Sequence, residues 1–322
     1  MSVESAMPAA PVRTGPSALP RCAEICRTLG EPLAGTAPAA ARAWFLVEHP
    51  GPWPAFGLPK DIPQAVARFS ERALTHGVRT QLVRRPERSG RRRENPVVMI
   101  AGGPPRGRWI EERIAADQDA DSLGAALDAL DPSGFAHSAP PGFGEPVEAA
   151  LLVCTHGRRE VCCAAFGRPV ARALAEQYGD AVWETTHVGG DRFAASLVAL
   201  PSGAYFGRLD PADALRVADS VLAGRIEPDK FRGRAGLPPS AQAAECFLRR
   251  ALGEARVDAV SYLGAEQGGA GRRAERFAVR GSGVHTVALA ERETRRPRLT
   301  SCGEGTVDRP TVFELVEITC GG

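Results

Sequence analysis

Apolar residues fall into short runs separated by proline- and glycine-rich stretches, and their spacing switches between the strand and the helix period. Trp44-Phe45-Leu46-Val47-Glu48 is an apolar run closed by His49-Pro50-Gly51-Pro52-Trp53, which predicts a buried strand and then a loop. Ile62, Val66, Phe69 and Leu74 lie on one side of a helix. Strands are expected over 80–83 and 96–100, and a further helix over 122–130. Residues 132–146 are rich in proline and glycine and read as a linker. Beyond it, 151–153 reads as a buried strand and 164–178 as a helix whose regular part is expected to begin near Pro169. Strands follow at 181–184, 193–200 and 204–206, and Asp210 caps a helix over 211–222 with Pro211 at its first position. Both stretches therefore show the order β-α-β-β-α, which suggests a tandem of related modules. The remainder carries one helix (240–252) and strands near 257–263, 274–280, 284–290 and 311–318, with Gly281-Ser282-Gly283 as a tight hairpin turn.

Composition narrows this picture without overturning it. A chain of 322 residues is long enough for about two domains. The expected division is a disordered tail (1–20), an N-terminal α/β domain (21–131), the linker (132–146), a second α/β domain (147–230) and a C-terminal α+β segment (231–322). A net charge of +2 sets up no field that would draw the chain to nucleic acid or an anionic membrane. No apolar stretch reaches membrane-spanning length, and the first residues lack the apolar core of a secretory signal. The expected compartment is the cytoplasm, where the eight cysteines stay reduced and serve as core residues, metal ligands or redox thiols.

Two short segments concentrate the chemistry. In CTHGRREVCC, Cys154, His156, Cys162 and Cys163 crowd into ten residues directly after a predicted buried strand. A rigid strand end followed by a curling loop suits a metal or cluster site, whose ligand distances are narrowly set. Arg158 and Arg159 add positive charge that favours thiolates. The plainer alternative makes these cysteines strand-core and helix-start residues. In HVGGDRF, two adjacent glycines allow a tight turn that points His187 and Asp191 at one centre, with Arg192 and Phe193 beside them. The plainer alternative is an ordinary turn with a satisfied histidine. Elsewhere, Cys22, Cys26 and Cys246 read as packing residues, Cys320 as inert, and the arginine-rich loop 84–94 as a solvated loop.

Together, CTHGRREVCCA and VWETTHVGGDRFAASLVALPSGAYFGRL resemble the sucrase/ferredoxin-like family, and GTAPAAARAWFLVEHPGPW and LTSCGE around Cys302 extend the likeness over roughly 22–318. The resemblance implies a thioredoxin-like ferredoxin fold for the second domain and a [2Fe–2S] cluster held in a C-x8-C loop and an H-x-G-G-H turn. Here Cys154 and Cys163 sit at the cysteine positions and His187 at the first histidine, while Asp191 replaces the second. The fourth ligand stays open between Asp191, Cys162 and Cys302. His156, Arg159 and Arg192 are expected around the ligands rather than among them. Replacing thiolate by imidazole raises a cluster's potential, and a free ring nitrogen couples electron transfer to a proton. The implied function is an intracellular one-electron carrier or redox sensor with a protein redox partner, no nucleic acid and no membrane. Two other readings remain at this point: a cluster-free thiol oxidoreductase on Cys154, Cys162 or Cys163, and a non-catalytic zinc or interaction protein. No pair of carboxylates is set apart for glycoside hydrolysis.

Overall fold

The structure, a computed structural model, describes residues 20–86, 96–103, 108–114, 120–267 and 273–321. The tail expected over 1–20 falls almost wholly outside the described residues, as does most of the arginine-rich loop 84–94.

After a short helix α1 (Cys22–Thr28), the first half runs β1 (Ala43–Glu48), α2 (Gln64–Leu74), β2 (Val78–Arg84), β3 (Val97–Gly102), β4 (Trp109–Ile114) and α3 (Ala120–Ala129). β5 (Glu145–Pro146) then pairs with β4 at the edge of the first half, and the second half runs β6 (Ala150–Cys154), α4 (Val161–Tyr178), β7 (Val182–Thr185), β8 (Leu197–Leu200), β9 (Ala204–Phe206), α5 (Pro211–Leu222) and β10 (Phe231–Arg234). All ten strands form one sheet in the order β10-β9-β8-β6-β7-β2-β1-β3-β4-β5. Its two centres repeat one pattern. β1 pairs parallel with β2 and antiparallel with β3, and β6 pairs parallel with β7 and antiparallel with β8. The halves meet where β2 and β7 run antiparallel. The strand orders β2-β1-β3-β4 and β7-β6-β8-β9 are thus the same sequence of steps taken twice. Each parallel pair is bridged by a helix, as a parallel connection requires.

The strand period sorts the core. Phe45 and Val47 of β1 pack with Val66 and Phe69 of α2 and Leu127 of α3. Leu151 and Val153 of β6 pack with Val170 and Leu174 of α4 and Val217 of α5. The alternate residues Trp44, Leu46, Leu152 and Cys154 join Trp183 and Tyr205 in one cluster that crosses both halves. The sheet curls enough that Trp44 of β1 reaches Gly203, in the turn between β8 and β9, where an added Cβ would come within 2.9 Å of the indole. The 132–146 stretch lies against the first half, with Phe135 and Phe143 buried in its core.

The last third adds α6 (Pro239–Leu252) and β11 (Val260–Gln267), β12 (Arg273–Val279), β13 (Gly283–Glu293), β14 (Arg298–Ser301), β15 (Thr306–Asp308) and β16 (Thr311–Gly321). β11-β12-β13-β16 form an antiparallel sheet, and β14-β15 a separate hairpin. Ala241, Ala244 and Leu248 of α6 cover Phe277, Val287 and Phe313 of that sheet. Glu245 binds α6 to the large sheet through Arg234 of β10, at 3.0 Å, and takes Arg249 at 2.9 Å, all three side chains being buried. The architecture is α/β with an α+β C-terminal portion. Among the described residues no helix is long and apolar enough to cross a membrane.

Candidate metal centre

Cys154 is the last residue of β6 and lies opposite Thr185, the last residue of β7. Two parallel strands therefore end at one level, and their following segments face each other across the same end of the sheet. The segment after β6 curls into α4, which carries Cys163 in its first turn, and the segment after β7 carries His187 two residues on. The thiols of Cys154 and Cys163 and a ring nitrogen of His187 all lie within 4.8 Å of one another. The helix starts at Val161 because Glu160 caps it, accepting the backbone N–H of Cys162 at 3.2 Å. Its regular part does not wait for Pro169, as the sequence suggested; that proline sits inside the helix. Gly167 lets the helix rest on the strand end, since a Cβ there would stand 2.1 Å from the Cys154 carbonyl oxygen.

Cys154 is fully buried and Cys163 is 3% exposed. The Cys163 thiol beside it pulls Cys154 well below the ordinary thiol range; burial opposes this, and the His187 imidazole adds to it. Cys163 is pushed well above that range, first by sharing its proton with Cys154 and then by burial. Cys163 stands in the first turn of α4, where the positive end of the helix favours a thiolate.

The turn carrying His187 is built by glycine and arginine. Gly189 and Gly190 have φ of 92° and 78°, a region that disfavours side chains. Gly190 also leaves the space that the Arg232 guanidinium fills, since a Cβ would meet its Nη2 at 2.1 Å. Arg232, fully buried on β10, donates to the carbonyl of Gly189 at 3.0 Å, to Ser196 Oγ at 3.3 Å and to Thr36 Oγ1 at 3.1 Å. Burial lowers it to about 10, which leaves it cationic under the turn. From the first half, Arg79 and Gln81 of β2 donate to the His187 carbonyl at 2.6 and 3.2 Å.

Asp191 Oδ1 stands 3.1 Å from His187 Nδ1. The two atoms are not aligned for a hydrogen bond, and each is a buried polar atom without a hydrogen-bond partner. Burial raises the Asp191 carboxyl, against the pull of His187. Unsatisfied buried donors and acceptors are rare, and an absent ion is one standard reason for them. Two soft thiol donors, one imidazole and one carboxylate beside it form a donor set that suits iron or zinc.

The neighbouring residues divide differently. His156 does not join the centre: its Nδ1 accepts the backbone N–H of His187 at 3.3 Å, while its Nε2 donates to the Pro54 carbonyl at 2.8 Å. It thereby ties the thiol loop to the His187 turn and to the loop after β1. Arg159 lies over the Phe56 ring and pairs with Glu304 at 2.7 Å. Arg192 pairs with buried Glu31 at 2.7 Å, and Arg298 binds the same carboxylate at 2.8 Å. Cys162 turns away from Cys163 and meets Cys22 and Cys302. A shallow pocket of about 150 Å³, lined by Phe56, Thr80, His156, Arg159, Thr186 and His187, opens onto the histidine edge of the centre. The contribution of Arg232 was not legible in the sequence, because nothing in the run FRGR sets it apart from the chain's many other arginines.

Residues 33–233 match the sequence profile of the family described as sucrase/ferredoxin-like, a span that holds both halves of the large sheet. Altered inheritance of mitochondria protein 32 from Meyerozyma guilliermondii is 32% identical over a 94-residue alignment that covers 26% of this chain and 33% of that protein. The chain therefore spans only about a third of the curated relative it matches. Two solved structures, both cysteine-to-serine variants of the thioredoxin-like [2Fe–2S] ferredoxin from Aquifex aeolicus, align with 27% of this chain and 99% of theirs. Their identity is 16%, with TM-scores of 0.25 and 0.24.

Proposed function

We propose, from the premise that this chain belongs to the sucrase/ferredoxin-like family, that it is a redox protein holding a [2Fe–2S] cluster on Cys154, Cys163, His187 and Asp191. The observation that carries the reading is the convergence of two thiols and an imidazole within 4.8 Å, beside an unpartnered Nδ1 and an unpartnered carboxylate oxygen. Cys154 and Cys163 suit one iron as anionic sulfur donors. His187, with Asp191 next to it, would supply the nitrogen and oxygen donors. The cluster would contribute one-electron chemistry; the chain contributes its environment. Arg232 sets a fixed positive charge under the turn, α4 points its positive end at the sulfurs, and the apolar wall of Trp183, Val188 and Tyr205 keeps water from them. The partly exposed His187 lines the pocket with Phe56 and would be the edge through which a bound cluster exchanges an electron with a partner protein.

Burial argues against the thiol-oxidoreductase alternative. A sulfur that exchanges with a substrate disulfide needs access, and neither Cys154 nor Cys163 offers it. Free cysteines throughout the chain suit a reducing compartment such as the cytoplasm.

Anaerobic purification with iron, sulfide and zinc analysis and a visible absorption spectrum tests the assignment. Two irons and two sulfides per chain with visible colour are expected; a colourless, iron-free chain overturns it. Cys154→Ser and Cys163→Ser should each remove the colour, and Asp191→His should keep or strengthen it, since imidazole is the softer donor.

A further inference from the structure

Six thiols lie outside the centre just described, and three of them come together. Cys162 on α4 lies with its sulfur 3.5 Å from that of Cys22 on α1 and 3.8 Å from that of Cys302 beyond β14. The backbone N–H of Cys22 donates to Cys302 Sγ at 3.0 Å. The three sulfurs and a carboxylate oxygen of Glu160 all fall within 4.8 Å of one another. Each thiol comes from a different region of the chain, and 140 residues separate Cys22 from Cys162 and Cys162 from Cys302.

The spacing suits a shared cation better than a disulfide. A disulfide would draw two sulfurs to about 2.05 Å and leave the third thiol stranded. A tetrahedral zinc thiolate, with Zn–S near 2.3 Å, holds its sulfurs about 3.8 Å apart, close to the separations observed. We propose that Cys22, Cys162 and Cys302, with Glu160 as fourth donor, form a second metal site of the structural zinc class. Three thiolates select a borderline-soft d¹⁰ cation over magnesium or calcium. The surroundings have the form of a metal site's outer shell. Glu160 Oε2 is held by Ser301 Oγ at 3.0 Å and by the backbone N–H groups of Cys302 and Gly303 at 2.9 and 3.0 Å, and Oε1 accepts the Cys162 N–H. On binding, the thiols release their protons to solvent and no electron moves.

Such a site fastens α1 and the β14-β15 hairpin to the loop that carries the first centre. α1 and the β14-β15 hairpin meet α4 at a small apolar cluster of Cys22, Ala23, Cys162 and Ala194, with Phe166, Leu299 and Cys302 alongside. The hairpin reaches the thiol loop so closely that a Cβ on Gly303 would meet the Arg159 carbonyl oxygen at 2.0 Å. A cation shared by the three thiols replaces an extended core as the clasp between these segments.

The proposal does not rest on the iron–sulfur reading, and its test keeps the two apart. The full chain carrying both Cys154→Ser and Cys163→Ser is purified under reducing, anaerobic conditions, and its zinc is measured after dialysis. One zinc per chain is expected, and cobalt substituted for it should show intense sulfur-to-metal charge-transfer absorption. Adding Cys302→Ser, at the most exposed of the three thiols, should remove the zinc, whereas Cys246→Ser, in α6, should not. Should the doubly substituted chain fail to fold by circular dichroism, the same comparison on the unaltered chain decides: Cys302→Ser should cost one equivalent of zinc and leave the iron content unchanged. A folded chain without zinc, zinc retained after Cys302→Ser, or a Cys22–Cys162 disulfide found by mass spectrometry of the freshly purified chain overturns the proposal.

Discussion

At the residue scale, Arg232 decides how the His187 turn is held. A buried guanidinium normally pairs with a carboxylate, but Arg232 spends its donors on the carbonyl of Gly189 and on Thr36 and Ser196. Removing it leaves those acceptors buried without donors, each costing about 1–3 kcal/mol. Arg232→Met should therefore lower the stability of the folded chain by about 3 kcal/mol and loosen the His187 turn. Urea denaturation measures the first, and loss of bound iron with Cys154 and Cys163 intact reports the second. A variant with wild-type midpoint and iron content would show that the turn holds itself. The sequence displayed Cys154, Cys163, His187 and Asp191 through their local density, four chemistry-bearing residues in two short runs. It did not display Arg232, nor that Cys22, read as a packing residue, faces Cys162. Those relations join positions far apart along the chain, and no local pattern encodes them.

At the element scale, the contact of α4 with the end of β6 sets the distance between the two thiols. Gly167 is what permits it, and the atom an added Cβ would strike is the Cys154 backbone oxygen, which no rotamer change can move. Gly167→Ala favours the helix by about 1 kcal/mol in intrinsic propensity, yet the clash should outweigh that and displace Cys163 from Cys154. The expected result is a less stable chain, by about 1–3 kcal/mol as for other overpacked sites, with reduced iron occupancy. Equal or greater thermal stability would mean that the helix slides without cost. Helical and strand periods made β1, α2, β6, α5 and α6 legible to within a few residues. The start of α4 was misread because Pro169 gave a stronger local signal than the Glu160 cap. β4 and β10 escaped notice because WIEERI and FRGR carry charges where a strand pattern looks for apolar residues. In β10 those charges are buried and satisfied by partners from elsewhere, as with Arg234 and Glu245.

At the scale of the whole molecule, the buried triad of Arg234, Glu245 and Arg249 joins the large sheet to α6 and the C-terminal sheet. Burial pushes the Glu245 carboxyl up, but Arg234 and Arg249 outweigh it and hold the group below its usual range. A carboxyl depressed in the folded state stabilises above its unfolded pKa of about 4.3 and loses that contribution as pH falls through the folded value. Glu245→Gln leaves two buried guanidinium groups without a counter-charge and should cost about 3–5 kcal/mol at neutral pH. The gap between variant and wild type should narrow steadily below about pH 4. Denaturation curves across pH check this, and a gap that stays constant on acidification would remove the triad from the account.

The apolar strands and the amphipathic helices, the doubling of one α/β pattern and the two segments rich in metal-binding side chains were determined by the sequence itself, because periodicity and local residue chemistry act over a few neighbours. The tertiary structure alone decided that β2 and β7 join the two halves into one curled sheet. It alone decided that β6 and β7 end level so that sulfur and imidazole meet, and that three further thiols converge beside them. Those outcomes depend on which distant surfaces bury each other, and burial is a property of the folded whole rather than of any stretch of chain.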